Sequence, residues 1–511
     1  MFATLRMRIK SLERWDGSLL KTLGLLELVF AATFLVPAAV ALYYHEDSLP
    51  FFVPAPLLLA CGAFQYLFFR RAETTVPASG VIMIIVGWLI AFIISSAPFL
   101  LSGFSLVDSL FEGISCFTTT GASVVTDFNA TPRSLLLWRS LVEWAGGIAV
   151  VLMIVFIIPV MGLGGRAFLN NELSGSGNYN FSMRMRNAAS NFIMIYLLLS
   201  AAEAMLLVIC GLGPFDAASL TFSTISTGGM SVHSGGVAAM DFSVQFVVLV
   251  FMFLGGTNFY LHFRAIYRRD VGAYRRSNEF IWTIVWFLLA AAVVSVLLIN
   301  SAGASPGGTA EKIWDAAFTT VSMGTTAGFG ITDLSLWPSA AMIIVMILCM
   351  VGSMSGSTSG GVKIYRVLIV KSFITNGIYK MLHPRTVKEV RLDGYSVGGE
   401  AVTSAVVVLF LFIFTWAATT ILVVLFEPDV SLLDAAAFAS ASLSTSGMGL
   451  GGAPFADLTD ATKLLLMFVM WVGRVDIVIA LCLFTRTFWE DVALGLKKGP
   501  RRDTRRLRRR S

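Results

Sequence analysis

Residues 315–330 read Asp-Ala-Ala-Phe-Thr-Thr-Val-Ser-Met-Gly-Thr-Thr-Ala-Gly-Phe-Gly, a short amphipathic run that begins with an acidic residue and ends in small residues. The same pattern occurs three more times in the chain. In each copy a central glycine follows the aspartate by thirteen positions, and the pairs are Asp108 and Gly121, Asp216 and Gly229, Asp315 and Gly328, and Asp434 and Gly447. Because repetition at a fixed spacing indicates one structural unit used several times, these four copies set the organisation of the chain.

Each copy ends in the pattern Thr-x-Gly-x-Gly/Ser, which suits a short helix followed by a loop of exposed backbone oxygens. A cation that leaves water needs oxygen ligands around it, and backbone carbonyls can supply them. Glycine permits the backbone angles that turn successive carbonyls inward. The plain alternative is that these small residues only allow close helix packing. We predict a cation filter formed mainly by the backbone carbonyls of Thr119, Thr120, Gly121, Thr227, Gly228, Gly229, Thr326, Ala327, Gly328, Thr445, Ser446 and Gly447.

The composition is that of a membrane protein. The chain has 511 residues, of which 56% are hydrophobic and 13% are charged, and this balance excludes an ordinary soluble domain. Apolar stretches of about 20 residues recur, which is the length that crosses a bilayer. They predict an all-α polytopic membrane protein with ten spans, at roughly 20–44, 50–69, 80–102, 135–161, 190–212, 242–266, 279–300, 338–375, 401–426 and 462–487.

The spans and the repeated motif together predict the domain organisation. Four pseudo-repeated units, each a helix, a pore helix, a filter and a second helix, surround one pore at residues 76–166, 167–277, 278–398 and 399–490. Residues 1–75 add two N-terminal transmembrane helices without the motif, and residues 491–511 form a basic cytoplasmic tail. One unit could not enclose a pore, but four units around an axis could.

Basic residues are concentrated in alternate connections between the spans. They occur before the first span, near Arg70, at 166–186, at 264–276, at 380–391 and in the tail, whereas the other connections are mainly acidic. The positive-inside rule therefore places both termini in the cytoplasm and the four filter loops at the outer side. The net charge of +6 is explained by anchoring at the inner face and does not indicate nucleic-acid binding.

Residues 352–363, Gly-Ser-Met-Ser-Gly-Ser-Thr-Ser-Gly-Gly-Val-Lys, interrupt the long span of the third unit. Four glycines and five hydroxyl residues do not continue a stable helix. A broken helix frees backbone groups to reach into a permeation path. We therefore predict an intramembrane gate at this break, with one further residue from the last span; its members are Gly352, Gly356, Ser357, Thr358, Ser359, Gly360, Gly361, Lys363 and Arg474.

Several charged side chains lie within the predicted spans, among them Arg474 and Glu143. Arg474 lies about a dozen residues into the last span, and intramembrane charges usually mark function, so we expect it to face the pore. The alternative is a structural ion pair with Asp476 or another carboxylate, although residues two apart on a helix do not face each other. Glu143, before Trp-Ala-Gly-Gly in the first unit, is interpreted as an interfacial carboxylate, and the glycines as helix-packing residues.

These features together resemble the Trk/Ktr/HKT superfamily of potassium transporters, most similar to its bacterial TrkH/TrkG branch because of the two extra N-terminal spans. The resemblance extends over essentially the whole chain. It implies a homodimeric potassium uptake subunit of the bacterial inner membrane, with a TrkA-type nucleotide-binding regulatory subunit at the cytoplasmic face. It also implies that the central glycines form the filter, that the broken helix is the gate and that Arg474 is the pore arginine of the family.

Three other functions remain open from the sequence. A Na⁺ or mixed Na⁺/K⁺ transporter of the same superfamily is the first alternative: Gly121 stands where plant-type sodium members have Ser, but Ser123 and Ser231 replace the second glycine in two loops. An ion-coupled secondary transporter would need a buried carboxylate or histidine relay, and the four histidines do not cluster in a span. A membrane enzyme lacks support from any catalytic constellation, so we expect no enzyme and no cofactor beyond K⁺ as the transported ion.

Overall fold

The computed structural model describes residues 2–70, 77–161, 181–301, 307–386, 389–392, 395–449 and 454–486. Within these ranges the regular secondary structure is helical apart from one short antiparallel strand pair. In it, β1 (Arg391–Leu392) pairs with β2 (Tyr395–Ser396). The predicted all-α class is thus confirmed. The predicted basic tail at 491–511 lies outside the described residues.

The helices follow one another along the chain with short connections between them. They are α1 (Phe2–Thr33), α2 (Leu35–Tyr43), α3 (Leu49–Phe52), α4 (Pro54–Phe68), α5 (Pro77–Leu101), α6 (Leu106–Phe117), α7 (Arg133–Met161), α8 (Phe181–Ile209), α9 (Pro214–Ile225), α10 (Phe242–Gly255), α11 (Phe259–Tyr267), α12 (Gly272–Arg276), α13 (Asn278–Asn300), α14 (Thr309–Gly324), α15 (Ser339–Val351), α16 (Ile364–Leu382), α17 (Gly399–Phe426), α18 (Leu432–Leu443), α19 (Asp460–Val475) and α20 (Ile477–Cys482). Short 3₁₀ turns occur at Gly236–Ala239, Leu334–Leu336 and Phe455–Asp457.

Seven of the described helical segments are long and apolar enough to cross a membrane. They are Leu19–Tyr43, Leu49–Phe68, Ile82–Leu101, Arg133–Met153, Ala189–Ile209, Asn278–Asn300 and Gly399–Phe426. Helices α10 and α11 would together form an eighth, but they meet at a bend of 98°. The bend follows from the sequence Gly-Gly-Thr-Asn between them, since the Asn258 side chain caps α11 by accepting from the Tyr260 N–H at 2.9 Å.

The two remaining predicted spans are each divided. The span at 338–375 consists of α15 and α16 with residues 352–363 between them, and the span at 462–487 is divided at Asp476, which has a left-handed φ of 82°. Helices α15 and α19 are shorter than a membrane crossing needs, and α16, with 19 residues, carries Arg366, Lys371 and Lys380 and is not among the apolar candidates. The count of ten spans therefore stays a prediction.

By its internal contacts the chain divides into two units, residues 1–104 with 475–511, and residues 105–474. In the first, α1 and α4 pack closely where two glycines meet. A Cβ on Gly24 would lie 2.8 Å from the carbonyl oxygen of Gly62, and a Cβ on Gly62 would lie 2.8 Å from that of Gly24. The Gln65 side-chain amide donates to the buried Glu27 carboxylate at 3.0 Å. The two N-terminal helices are thus held by a small-residue contact and one polar link.

The second unit contains the four short helices that precede the repeated motif, α6, α9, α14 and α18. Asp108, Asp216 and Asp434 each occupy the third position of their helix, where a carboxylate complements the helix dipole. The expectation that Asp315 opens its helix in the same way is wrong, because α14 begins six residues earlier at Thr309. Glu311 takes the terminal role there and accepts from the Gly308 N–H at 3.1 Å.

The core of the second unit lies between successive repeats of the motif. One buried cluster joins Phe111 of α6, Phe438 of α18 and Met470 of α19. Another joins Leu220 of α9 to Phe318 of α14. These short helices are therefore buried partly against elements of a neighbouring repeat.

Candidate functional site

The four loops that follow the short helices share one backbone conformation. We call residues 119–123, 227–231, 326–330 and 445–449 loops 1 to 4. The first threonine of each loop is left-handed, with φ of 51°, 55°, 57° and 54° at Thr119, Thr227, Thr326 and Thr445, and the central glycines have φ of 80°, 83°, 76° and 56°. A left-handed β-branched residue is a strained outlier, and such strain persists where the surrounding structure fixes it, often at functional sites.

The four loops close into a ring. A Cβ on the central glycine of each loop would overlap a carbonyl oxygen of the next loop. The distances are 1.9 Å from Gly121 to Gly228 O, 1.9 Å from Gly229 to Ala327 O, 1.8 Å from Gly328 to Ser446 O and 2.0 Å from Gly447 to Thr120 O. The contacts run from loop 1 to 2, 2 to 3, 3 to 4 and 4 to 1. Only glycine fits at these four positions, and the twelve residues predicted as a filter are brought together around one axis.

Loop 1 is supported from behind by the carboxylate of Glu112 on α6. Its Oε1 accepts from Ser123 Oγ at 2.6 Å and from the Val124 N–H at 2.6 Å. Its Oε2 lies 3.3 Å from Nε of Arg139 on α7. Ser123, which replaces the second glycine of the motif, is therefore a support of the loop.

The gap between α15 and α16 covers residues 352–363, which we call the break, as the sequence predicts. Gly352, Gly356 and Gly361 have left-handed φ of 69°, 77° and 74°, and Lys363 has φ of 77°. The ends of the break meet, because the Lys363 N–H donates to Val351 O at 2.8 Å. The break is thus a compact excursion from one helical path.

The middle of the break lies against the first residues of the ring. Thr227 Oγ1 donates to Thr358 Oγ1 at 3.3 Å. The Gly360 N–H donates to Thr326 Oγ1 at 2.7 Å, and a Cβ on Gly360 would lie 2.0 Å from Ser444 O, just before loop 4. The break therefore contacts the ring on the side where the short helices end.

Further hydrogen bonds hold the break to the α10–α11 bend and to α13. Thr358 Oγ1 donates to Gly255 O at 3.0 Å and Ser353 Oγ donates to Gly256 O at 2.7 Å. The Ser355 N–H donates to the Glu279 carboxylate at 2.6 Å. Within the break, Ser357 Oγ, Ser359 Oγ and Lys363 Nζ contact backbone carbonyls of the same segment.

Arg474 contacts the break, where the other predicted gate residues lie. It is 5% exposed, and its Nη1 donates to Thr358 O at 2.8 Å. Nε and Nη2 are buried and have no hydrogen-bond partner among the described residues. The arginine therefore fixes the middle of the break by one charge-assisted hydrogen bond.

The glycine pairs of the second spans pack against the short helices, as the packing interpretation predicts. A Cβ on Gly146 would lie 2.1 Å from Phe117 O, and one on Gly255 would lie 2.8 Å from Ile225 O. The interpretation of Glu143 as interfacial is wrong, since its exposure is 0%. The sequence analysis also did not single out Glu112 or Glu203, which are buried with 0% exposure on α6 and α8. The only sequence signal that could have indicated a buried role for Glu143 is its position three residues before Gly146.

At the N-terminus of α6, Lys463 of α19 pairs with Asp108 at 2.8 Å, and Ser105 caps the helix by accepting from the Asp108 N–H. Burial alone would raise the pKa of Asp108, but the hydrogen bonds from Lys463 and Ser105 outweigh it, so this pKa lies below its ordinary value. The pair links the first and fourth repeats, where the ring closes.

A closed ring of four backbone loops with a broken helix packed against it, in a chain with several helices apolar enough to cross a membrane, is typical of a membrane ion transport protein. The sequence model of the TrkH family, described as a cation transport protein, matches residues 59–490. The chain belongs to this family. It is therefore a transport protein and not an enzyme.

Several relatives are similar over nearly their whole length. Trk system potassium uptake protein TrkH of Vibrio parahaemolyticus is 32% identical over 489 residues, which cover 93% of this chain and 99% of the relative. TrkG of Escherichia coli is 29% identical over 483 residues, covering 92% and 97%. The crystal structure of the potassium transporter TrkH from Vibrio parahaemolyticus superposes with a TM-score of 0.84 at 30% identity, covering 93% of this chain and 99% of that one.

Proposed function

We propose that this chain carries potassium ions across the bacterial inner membrane through the ring of loops 1 to 4. The observation that carries the proposal is the closure of the ring, in which each central glycine meets a carbonyl of the next loop within 2.0 Å of its missing Cβ. Such a ring offers oxygen ligands from all sides to a cation that has lost its water. The names of the relatives support potassium as the ion.

In this proposal the twelve predicted filter residues select the ion and the break controls its passage. The break has the backbone freedom of four glycines and contacts Thr227 and Thr326 through hydroxyl groups. Retraction of the break would exchange these contacts for water. Arg474 opposes retraction through Thr358 O, and its positive charge repels a cation strongly where little water is present.

A sodium-conducting or mixed Na⁺/K⁺ transporter is the second candidate. The second glycine of the motif is Ser123 in loop 1 and Ser231 in loop 2, and we infer moderate discrimination from this departure. A relative from Methanocaldococcus jannaschii, 28% identical over 490 residues, is named only as a cation transporter. Parallel Na⁺ and Rb⁺ fluxes decide between the two candidates.

The finer organisation belongs to the same proposal. We infer ten spans, the four units at the boundaries given above, cytoplasmic termini, a homodimer and a TrkA-type regulatory subunit at the cytoplasmic face. The relatives named as parts of a Trk system support a partner of this kind. The cytoplasmic side would then carry the basic segment around α12, where Arg264 and Arg276 both pair with Asp270.

The decisive test is complementation of a bacterium that lacks potassium uptake, with Rb⁺ and Na⁺ uptake measured in parallel. We expect growth at low potassium and faster uptake of Rb⁺ than of Na⁺. Gly328→Ala should lower the Rb⁺/Na⁺ uptake ratio, because its Cβ would overlap Ser446 O. Gly377→Ala is the matched control, since a Cβ there meets nothing within 4 Å. Uptake of Na⁺ as fast as or faster than that of Rb⁺, with no rescue of growth at low potassium, would support the second candidate.

A further inference from the structure

Four side chains occupy equivalent positions behind the ring. Each lies three residues before a glycine of the segment that returns from its loop. Three of these glycines pack alike on the short helix of their own repeat. A Cβ on Gly146, Gly255 or Gly473 would lie 2.1, 2.8 or 1.9 Å, respectively, from the carbonyl oxygen of Phe117, Ile225 or Leu443. The fourth glycine, Gly352, is the C-cap of α15. The four side chains are Glu143, Met252, Cys349 and Met470.

Each of these side chains is grouped with the loop of the next repeat, by a direct contact or by a shared buried cluster. Met252 shares a buried cluster with Ala327 of loop 3, and Met470 shares one with Ala122 of loop 1. Cys349 Sγ lies 2.8 Å from Ser446 Oγ of loop 4. Glu143 lies against Gly228 of loop 2. Each side chain therefore supports one seam, the contact between two successive loops.

Glu143 is the charged member of this set, and it lies at the seam between loops 1 and 2. A Cβ on Gly228 would lie 2.4 Å from Cδ, 2.5 Å from Oε1 and 2.7 Å from Oε2 of Glu143. Its Oε1 is also 3.6 Å from the Cβ position of Gly121. Ser223 and the Met230 N–H are the donors that face this carboxyl group, but neither reaches it with hydrogen-bond geometry.

Packing alone does not account for a glutamate at this position. The methionines at two equivalent positions fill their seams without burying a polar group, whereas burial of a carboxyl group costs free energy unless it is compensated. The neighbouring cation, Arg139, already pairs with Glu112 at 3.3 Å. A short planar carboxyl group also fixes a contact more narrowly than a flexible thioether does.

We propose that Glu143 is a positioning residue that holds the Gly228 carbonyl of loop 2 against loop 1 and thereby contributes to the choice of ion. The inference rests on the proposed ion filter and assigns one of its seams to a single side chain. In this proposal the filter is asymmetric. A carboxyl group supports the seam between loops 1 and 2, whereas thioether or thiol side chains support the other three seams.

Two substitutions at Glu143 distinguish the effect of its planar polar group on ion preference from the effect of its volume. Glu143→Gln keeps the planar polar group, and Glu143→Met installs the residue of the equivalent positions. We expect Glu143→Gln to retain the Rb⁺/Na⁺ uptake ratio and the KM for Rb⁺, and Glu143→Met to lower the ratio about fivefold, a size typical of coupling between touching residues. Unchanged ion preference in Glu143→Met, or equal losses in both variants, would overturn the proposal.

Glu203→Gln is the matched control. Glu203 is a second carboxylate with 0% exposure, but it faces Thr224 on α9 and not a loop of the ring. We expect its substitution to leave the Rb⁺/Na⁺ ratio unchanged. A loss equal to that of Glu143→Met would mean that any buried carboxylate alters the ratio, and this result would also overturn the proposal.

A double-mutant cycle tests the contact itself, including the case in which Glu143→Met does not reach the membrane. The three atoms nearest to a Cβ on Gly228 all belong to Glu143. Gly228→Ala should therefore lower the Rb⁺/Na⁺ ratio by displacing Glu143, and adding Glu143→Ala should cause less loss than the sum of the two single effects. Strict additivity would contradict the contact.

A binding measurement distinguishes failure of this inference from failure of the proposed function. A cation held by the folded protein raises its melting temperature as its concentration increases. The K⁺ concentration for half of this rise should be higher in Glu143→Met than in Glu143→Gln or the unaltered protein. If the unaltered protein carries no Rb⁺ but this difference persists, the proposed transport fails and the role of Glu143 stands. If all three proteins respond alike to K⁺, the role of Glu143 fails.

Discussion

The ring of loops and the break both leave the helical path through left-handed residues, but they are held in different ways. In the ring, backbone meets backbone at four equivalent seams, each too close for a Cβ. The break occurs once and is held mainly by hydrogen bonds. They involve the side chains of Thr227, Ser353, Ser355 and Arg474 and the backbone N–H groups of Met354 and Thr358, and Gly360 also lies close to Ser444 O. A seam cannot open without disturbing its neighbours, whereas the break can move by losing a few hydrogen bonds.

In the proposed function, this difference assigns selection to the ring and gating to the break. Close packing of backbone groups tolerates little displacement, which suits a filter that must distinguish ions of similar charge. Hydrogen bonds exchanged for water each contribute about 1 kcal/mol net. Several of them therefore favour the closed position of the break without making its opening prohibitively unfavourable. Substitutions in the ring should therefore alter ion preference, and those in the break should alter flux alone.

The largest expected effect comes from Gly121→Ser in the ring. Its Cβ would lie 1.9 Å from Gly228 O, and the position has a φ of 80° that disfavours a side chain. We expect the K⁺/Na⁺ permeability ratio to fall by about tenfold or more, which corresponds to 1.4 kcal/mol. Permeability ratios in planar bilayers measure this effect. Gly377→Ser, on the open surface of α16, is the control, and an unchanged ratio in a well-inserted Gly121→Ser protein would contradict the filter assignment.

Arg474→Ala should have the next largest effect, on flux and not on preference. The substitution removes the hydrogen bond to Thr358 O and a positive charge next to the break. A hydrogen bond to a charged group contributes about 1.5 kcal/mol or more, so we expect Rb⁺ flux to rise about tenfold with an unchanged Rb⁺/Na⁺ ratio. Arg474→Lys keeps the charge and should give a smaller rise. A normal flux in a correctly inserted Arg474→Ala protein would contradict the gating role.

The sequence predicts the ring and the break because both depend on local backbone freedom. The spacing to Gly121, Gly229, Gly328 and Gly447 locates the loops, and the glycines and hydroxyl residues of 352–363 locate the break. The sequence does not predict which groups meet across the fold. That Arg474 donates to a carbonyl 116 positions earlier, or that Glu143 supports the following loop, depends on how the repeats pack together.

The left-handed threonines and the early start of α14 were also not predictable, for local reasons. Intrinsic preference disfavours Thr119 at a φ of 51°, and only the closed ring compensates for this cost. The pattern around Asp315 matches its three counterparts, so it conceals the extra turn that Gly308 and Glu311 begin. Periodic repeats thus give the spacing of a site more reliably than the ends of its elements.

Thr358→Val should raise flux less than Arg474→Ala. It removes the hydroxyl group that donates to Ile225 O at 3.1 Å and to Gly255 O at 3.0 Å. The Thr358 N–H still donates to Gly255 O at 3.3 Å. The substitution also removes the acceptor of the Thr227 hydroxyl. Because the lost hydrogen bonds are neutral and the contact of the Thr358 N–H remains, we expect about a threefold rise in Rb⁺ flux. Thr375→Val, whose hydroxyl bonds only locally on exposed α16, is the control and should leave flux unchanged. A Thr358→Val flux above that of Arg474→Ala would reverse the order of these two restraints.

The smallest effect should come from the ion pair of Asp108 and Lys463, which links the helices on either side of the ring closure. Because the folded pKa of Asp108 is lowered, the carboxylate stabilises the fold above its unfolded pKa, and this contribution is lost as the pH falls through the folded pKa. Asp108→Asn should thus lower the stability at pH 7 by about 1 kcal/mol or less, as for other partly exposed pairs. The difference from the unaltered protein should shrink below about pH 4, near the ordinary pKa of aspartate.

Melting temperatures of the purified protein at pH 7 and at low pH measure this difference. Asp434→Asn is the control, since Asp434 has the same helical position and a hydrogen bond from Ser431 in place of a lysine. The Rb⁺/Na⁺ ratio of Asp108→Asn should stay unchanged, because the carbonyl contacts of the ring do not depend on this pair. A changed ratio would show that the ion pair of Asp108 and Lys463 helps to fix the ring. The rigidity of the ring would then depend on the charges that surround it as well as on its backbone contacts.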